Sequence, residues 1–140
     1  MLVAIIASGL LVAIATVIHY EVLGSVNTLL PTLKIQRRAK LLVVIFSATA
    51  AHLVEIGLYG IALFVLAKYL SVGAFVGSPG FSLTTCLYFS AETYTSLGFG
   101  DLTPVGPIRL LAGVEALNGL VLIGWTASYT YIAMERFWSR

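Results

Sequence analysis

The sequence predicts an all-α membrane protein with three transmembrane helices and one shorter helix that enters and leaves the membrane on the same side. Three observations lead to this fold class. Of the 140 residues, 59% are hydrophobic and only 10% are charged, whereas a soluble domain carries roughly 25% charged residues. Three apolar runs are long enough to cross a bilayer, which takes about 20 residues. A fourth apolar run is too short to cross and leads into a glycine-containing loop.

The first spanning helix is predicted at residues 1–23, where no charge precedes Glu21. Such a run could also be a secretory signal peptide. It has no positive residue before its apolar stretch, and the stretch is longer than a signal peptide requires. We therefore expect a retained transmembrane helix.

The two other spanning helices are predicted at residues 41–70 and 107–134. The connection at 24–40 is rich in basic residues, namely Lys34, Arg37, Arg38 and Lys40. Because cytoplasmic loops carry an excess of Lys and Arg, this connection is predicted to be cytoplasmic. The amino terminus then lies outside, and the carboxyl end, with Arg136 and Arg140, lies in the cytoplasm. We expect a multi-pass protein of the plasma membrane.

A re-entrant segment is predicted between the second and third spans. Residues 72–80 read as a turn-rich outer loop. The apolar stretch 82–95 follows, about 14 residues or ~21 Å long as a helix, which is too short to span. Ser82 is a suitable N-cap for it. Irregular backbone at membrane depth is tolerated where it lines water or is buried in protein. The alternative is a surface loop packed on the outer face.

The loop after this short helix carries the motif Ser96-Leu97-Gly98-Phe99-Gly100-Asp101. A pore that passes a cation must replace the water shell of the ion with oxygens. Successive backbone carbonyls can do this when left- and right-handed backbone conformations alternate, and glycine adopts the left-handed conformation without strain. A Gly-x-Gly spacing after a hydroxyl residue fits this need, and Gly-x-Gly-Asp between two spans is a strong signal.

These residues resemble the potassium-channel pore family, whose usual filter reads Thr-Val-Gly-Tyr-Gly-Asp. The resemblance covers roughly residues 41–131 and leaves the first helix outside. It implies a pore domain at 41–140, with an outer helix at 41–70, a pore helix at 82–95, a selectivity filter at 96–100 and an inner helix at 107–134. It also implies potassium ions bound at Ser96, Leu97, Gly98 and Phe99. Phe99 lacks the tyrosine hydroxyl, and Leu97 is larger than valine.

The resemblance extends to residues around the filter. It implies that Glu92 and Asp101 share a proton behind the filter, the alternative being two unrelated carboxyls. The 100° rotation per residue puts four side chains on one face of the third span, at positions that line the cavity in the resembled family. They are Leu120, Ile123, Ala127 and Tyr131. Gly119 is a candidate hinge, or a site of close helix packing.

Ionisable residues inside the spans form a second candidate site. His52 and Glu55 are three residues apart, as are Glu115 and Asn118, so each pair shares a helix face. Because unpaired charges at this depth are costly, we expect the four residues to form one buried polar cluster. The cluster is either a structural hydrogen-bond network or a proton-sensitive latch, since a histidine titrates near neutral pH.

Aromatic and polar residues near the helix ends are predicted to lie at the membrane interface. We expect His19 and Glu21 to form an interfacial pair, and Tyr20 and Trp138 to belong to the aromatic belt. No span carries an arginine at every third residue, so no voltage sensor is predicted. Only about six residues follow the last span, so we expect no cytoplasmic ligand-binding domain in this chain.

The predicted function is a potassium-selective channel that conducts passively. One filter segment per chain cannot surround an ion, so we expect a homotetramer. A weakly selective cation channel and a non-conducting membrane accessory subunit remain alternatives. We expect no enzyme and no cofactor other than the permeant potassium ion, since no nucleophile, phosphate-binding or metal motif is visible. The single cysteine, Cys86, excludes an internal disulfide. The expected partners are lipid and further copies of the chain, and no nucleic acid.

Overall fold

The computed structural model describes residues 1–77 and 80–138, apart from the side chain of Trp138. Its helices and strands, in chain order, are α1 (Leu2–Leu29), α2 (Arg37–Lys68), β1 (Ala74–Gly77), α3 (Leu83–Tyr94), β2 (Leu102–Val105) and α4 (Ile108–Trp138). Helices α1, α2 and α4 are long and apolar enough to cross a membrane. The predicted helical membrane protein with three spans is confirmed at this level. Arg140 lies outside the described residues.

The connection between the first two spans is shorter than the predicted loop at 24–40. Helix α1 continues to Leu29, and α2 already begins at Arg37. Three of the four basic residues therefore belong to the first turn of α2, because Arg and Lys are good helix formers. Pro31 follows the C-cap residue Leu30, and because proline has no backbone N–H it cannot continue the hydrogen bonding of α1.

Helix α1 packs against α2 and α4 along one buried stripe. The residues of this stripe recur every three or four positions, as one face of a helix requires. They are Ala4, Ser8, Leu11, Ala15, His19, Leu23 and Val26. Several are small, which lets the helix backbones approach closely.

Two short strands flank α3 and were not predicted. Strand β1 pairs with β2 antiparallel, with Ala74 opposite Val105 and Gly77 opposite Leu102. Gly77 has a φ of +132°, and a side chain there would collide with the carbonyl oxygen of Asp101. The pairing thus depends on a glycine that the sequence offered only as a loop signal. It ties the chain before α3 to the chain after residue 100. Of the predicted loop at 72–80, residues 78 and 79 lie outside the described part.

Helix α3 is wedged against α2 and α4. The Ser82 side chain caps it, accepting a hydrogen bond of 3.0 Å from the Thr85 backbone N–H, so the predicted N-cap is confirmed. A Cβ at Gly60 of α2 would lie 2.9 Å from the Leu87 Cα. A Cβ at Gly119 of α4 would collide with the Tyr94 carbonyl oxygen. Glycines on both neighbours therefore allow α3 to sit close to them.

Candidate functional site

The segment 96–100, which follows the end of α3, alternates in backbone handedness. Ser96, Gly98 and Gly100 have φ values of +58°, +57° and +81°, while Leu97 and Phe99 have no positive φ. Left-handed backbone costs a non-glycine residue roughly 1–2 kcal/mol. Two of the three left-handed positions are glycines, so the sequence removes most of this cost.

Glu92 holds the segment in place from within α3. Its backbone carbonyl accepts the N–H groups of Leu97 at 2.8 Å and Gly98 at 3.3 Å. Its carboxylate Oε2 accepts the backbone N–H of Phe99 at 3.0 Å. Glu92 is only 4% exposed, and three donors from the segment therefore converge on one buried residue.

Tyr88 and Asp101 brace the far end of the segment. The Tyr88 hydroxyl donates to Asp101 Oδ2 at 3.1 Å, and its ring stacks parallel to Phe99, with centroids 6.3 Å apart. Desolvation and the bonded Asp101 carboxylate raise the pKa of Tyr88, which keeps the phenol protonated as a donor. Sequence reasoning missed this role, although Tyr88 lies one helical turn before Glu92 on the same face.

The predicted proton-sharing pair of Glu92 and Asp101 is not formed. Within the described residues no hydrogen bond joins the two carboxyls. Glu92 is engaged by the Phe99 N–H and Asp101 by the Tyr88 hydroxyl. Each carboxyl thus has its own hydrogen-bond partner.

The predicted cavity-lining residues of α4 lie on an open face of the subunit. Leu120 is 54% exposed and Tyr131 is 62% exposed, and Ile123 and Ala127 are also exposed. Leu97 and Phe99 share this exposure. Gly119 is buried against Tyr94, within a continuous helix. Close packing against Tyr94 therefore explains why this position is a glycine.

A second group of polar side chains, here named the histidine cluster, consists of His19, His52, Glu55, Tyr94 and Thr126. Glu55 lies at the centre of the histidine cluster and is fully buried. His19 Nδ1 lies 2.9 Å from Glu55 Oε1, and His52 Nδ1 lies 3.1 Å from Glu55 Oε2. The Tyr94 hydroxyl donates to the same Oε2.

On the other side of the two rings, Thr126 Oγ1 contacts His52 Nε2 at 2.9 Å and His19 Nε2 at 3.1 Å. The histidine cluster therefore joins all four helices. The residue it places nearest to the segment 96–100 is Tyr94, the last residue of α3.

Two predictions about the buried polar residues need correction. His52 and Glu55 do pair, but Glu115 and Asn118 have other partners: Ser90 donates to Glu115, and Asn118 donates to the Tyr59 hydroxyl at 3.2 Å. Helix α3 lies between α2 and α4 at this level and supplies Ser90. His19 is not interfacial, since it is fully buried in the histidine cluster. The sequence did indicate this burial, because His19 lies four residues from both Ala15 and Leu23 and so falls on the apolar stripe.

Comparisons with known proteins agree with this architecture. The profile of a protein family described as "Ion channel" matches residues 40–136. The chain belongs to this ion-channel family. It is also similar to the inward rectifier potassium channel Kirbac3.1 of Paramagnetospirillum magnetotacticum, with 39% identity over 85 residues, or 57% of this chain. The chain spans 28% of the length of that relative. No solved structure gave a significant match.

The resemblance to the potassium-channel pore family noted from the motif is thereby confirmed. The matched residues include α2, α3, the segment 96–100 and α4, while α1 lies outside them. The shared part is the ion-channel module, and α1 is an addition to it.

Proposed function

We propose that four copies of this chain assemble around one pore and conduct potassium ions passively, with the segments 96–100 as the selectivity filter. The observation that carries the proposal is the left-handed backbone at Ser96, Gly98 and Gly100, with no positive φ at the residues between. Alternation of this kind turns successive carbonyls toward the same side, so that four segments would provide stacked rings of oxygens for a dehydrated ion. Potassium would bind at Ser96, Leu97, Gly98 and Phe99.

Three further features support a pore lined by several subunits. One segment cannot surround an ion. The side chains of Leu97 and Phe99 are 61% and 66% exposed in the single subunit, and neighbouring subunits would cover them. The open face of α4 would line a cavity below the filter.

Helix α3 would act as a re-entrant pore helix in this assembly. It is 12 residues long and ends directly before the filter. The carboxyl end of a helix carries partial negative charge. Four such ends directed at one cavity would stabilise a cation there.

Purified protein in liposomes provides the test. A potassium gradient should drive flux that a sodium gradient does not, and cross-linking should give a tetramer. Equal sodium and potassium flux would favour the weakly selective cation channel, to which the missing hydroxyl at Phe99 could contribute. A tetramer without flux would favour the accessory subunit.

The proposed orientation in the plasma membrane has the amino terminus outside and the carboxyl terminus in the cytoplasm. A cysteine at Gln36 should be shielded from an impermeant thiol reagent applied outside, and one at the exposed Val76 should react. Cys86 provides an internal control, because burial raises the pKa of its thiol to about 11 and keeps it unreactive. The reverse labelling pattern would overturn the orientation.

A further inference from the structure

The histidine cluster contains three potential metal ligands that the proposed pore does not use. The ligand atoms of His19, His52 and Glu55 all lie within 4.8 Å of one another. The side chains of His19 and Glu55 are fully buried, and that of His52 is 17% exposed. We propose that these three residues bind one divalent transition metal ion of the Zn²⁺ class.

The distances between the ligand atoms fit such an ion. A tetrahedral Zn²⁺ ion holds nitrogen and oxygen ligands at about 2.1 Å, which places neighbouring ligand atoms about 3.4 Å apart. The histidine Nδ1 atoms lie 2.9 and 3.1 Å from the two carboxylate oxygens of Glu55. The two carboxylate contacts would open by a few tenths of an ångström to admit the ion, and no two of the three ligand atoms start more than 4.8 Å apart. Two histidines and one carboxylate form a ligand set that is common at zinc sites with a fourth position open.

The contacts of Thr126 favour a cation at this place. With both rings neutral and both Nδ1–H groups directed at Glu55 and Tyr94, both Nε2 atoms are bare acceptors. Thr126 has only one hydrogen to offer them. If a metal ion takes both Nδ1 atoms, both Nε2 atoms carry hydrogens, and the two lone pairs of Thr126 Oγ1 can accept both. The metal-bound state thus satisfies hydrogen bonds that this metal-free tautomer cannot.

Tyr94 fits the fourth ligand position. Its hydroxyl oxygen lies 2.9 Å from His52 Nδ1 and already contacts Glu55. The Glu55 carboxylate balances part of the charge of the ion, which lowers the cost of holding it at membrane depth.

The ion would connect the added helix α1 to the channel module. His19 comes from α1, His52 and Glu55 from α2, and Tyr94 from the residue that ends α3 just before the segment 96–100. Metal binding would therefore fix α1 against the part of the molecule that positions this segment.

Cobalt(II) serves as the probe, because its tetrahedral complexes absorb visible light. The chain has two histidines in total, so a preparation freed of any affinity tag and of metal has no other imidazole to bind the ion. Titration of the detergent-solubilised protein should give a d–d band that saturates at one Co²⁺ per subunit and disappears when Zn²⁺ is added. The readout does not depend on ion flux, so it separates this proposal from the proposed function.

Variants locate the site. His19→Gln should abolish the band, and Thr126→Val should weaken Co²⁺ affinity by about 10–100-fold, as loss of a partner of the ligating histidines does. Glu21→Gln, on the exposed side of α1, is the matched control and should bind as the wild type does. The Thr126 variant decides the matter if His19→Gln fails to fold. Absence of a band in the wild type, or unchanged affinity in Thr126→Val, would overturn the proposal and leave the cluster as a hydrogen-bond network.

Discussion

Replacement of Gly98 by alanine isolates the backbone of the segment 96–100 from the rest of the fold. Gly98 has a φ of +57°, and a Cβ built on it meets no atom within 4 Å in the subunit. The added methyl group therefore causes no collision, and its cost is that of left-handed backbone, about 1–2 kcal/mol per subunit. Summed over the four subunits of the proposed tetramer, the strain reaches about 4–8 kcal/mol and is confined to the filter.

We expect Gly98→Ala to reduce potassium flux into liposomes by more than tenfold, since 1.4 kcal/mol already corresponds to a factor of ten. Size-exclusion elution in detergent should stay close to that of the wild type, because the added methyl group meets no other atom of the subunit. Gly24→Ala is the matched control, because Gly24 lies in α1 without positive φ and with no atom within 4 Å of an added Cβ. Wild-type flux through the Gly98→Ala protein would refute the assignment of this segment as the filter.

Substitutions at Gly119 and Glu92 test the supports of the segment. Gly119→Ala should lower the unfolding midpoint and weaken assembly, because its Cβ would collide with the Tyr94 carbonyl and lie 3.0 Å from Cγ of the same residue. Such overpacking costs about 1–3 kcal/mol. Gly113→Ala is the control: an added Cβ there meets no atom within 4 Å, so it should have little effect. Glu92→Gln should keep the hydrogen bond from the Phe99 N–H and most of the flux, while Glu92→Leu removes the acceptor and should abolish potassium selectivity measured against sodium. Equal flux ratios in the two Glu92 variants would contradict the bracing role.

The helices were predictable from the sequence because lipid leaves few alternatives. Spanning segments must satisfy their backbone groups internally, so long apolar runs indicated the three spans, and the Ser82 cap indicated where α3 begins. The boundary between α1 and α2 was less predictable, because basic residues that mark a cytoplasmic loop are also good helix formers. The pairing of β1 with β2 was not predictable, since it depends on the close approach of Gly77 to Asp101.

The candidate site was predictable where it depends on the backbone and less so where it depends on side-chain partners. Gly98 and Gly100 indicated two of the residues with left-handed backbone, because glycine adopts this conformation without strain. The partner of Asp101 is Tyr88 rather than Glu92, and nothing in the spacing decides between a phenol and a carboxyl. The burial of His19 was not predicted, because the sequence of α1 alone does not show that its apolar face packs against Glu55 of α2.

The position of His19 also explains why α1 packs against the ion-channel module that it precedes. A helix held only by lipid contacts would need no polar group on its buried face, and burying one without a partner costs several kcal/mol. His19 has two partners, Glu55 on α2 and Thr126 on α4, so the cost is recovered only when all three helices are in place. Glu55 in turn accepts from Tyr94 at the end of α3. Helix α1 is therefore linked through two consecutive hydrogen bonds to Tyr94, at the end of the helix that leads into the segment 96–100. A change in the packing of α1 would alter the contacts that position Tyr94.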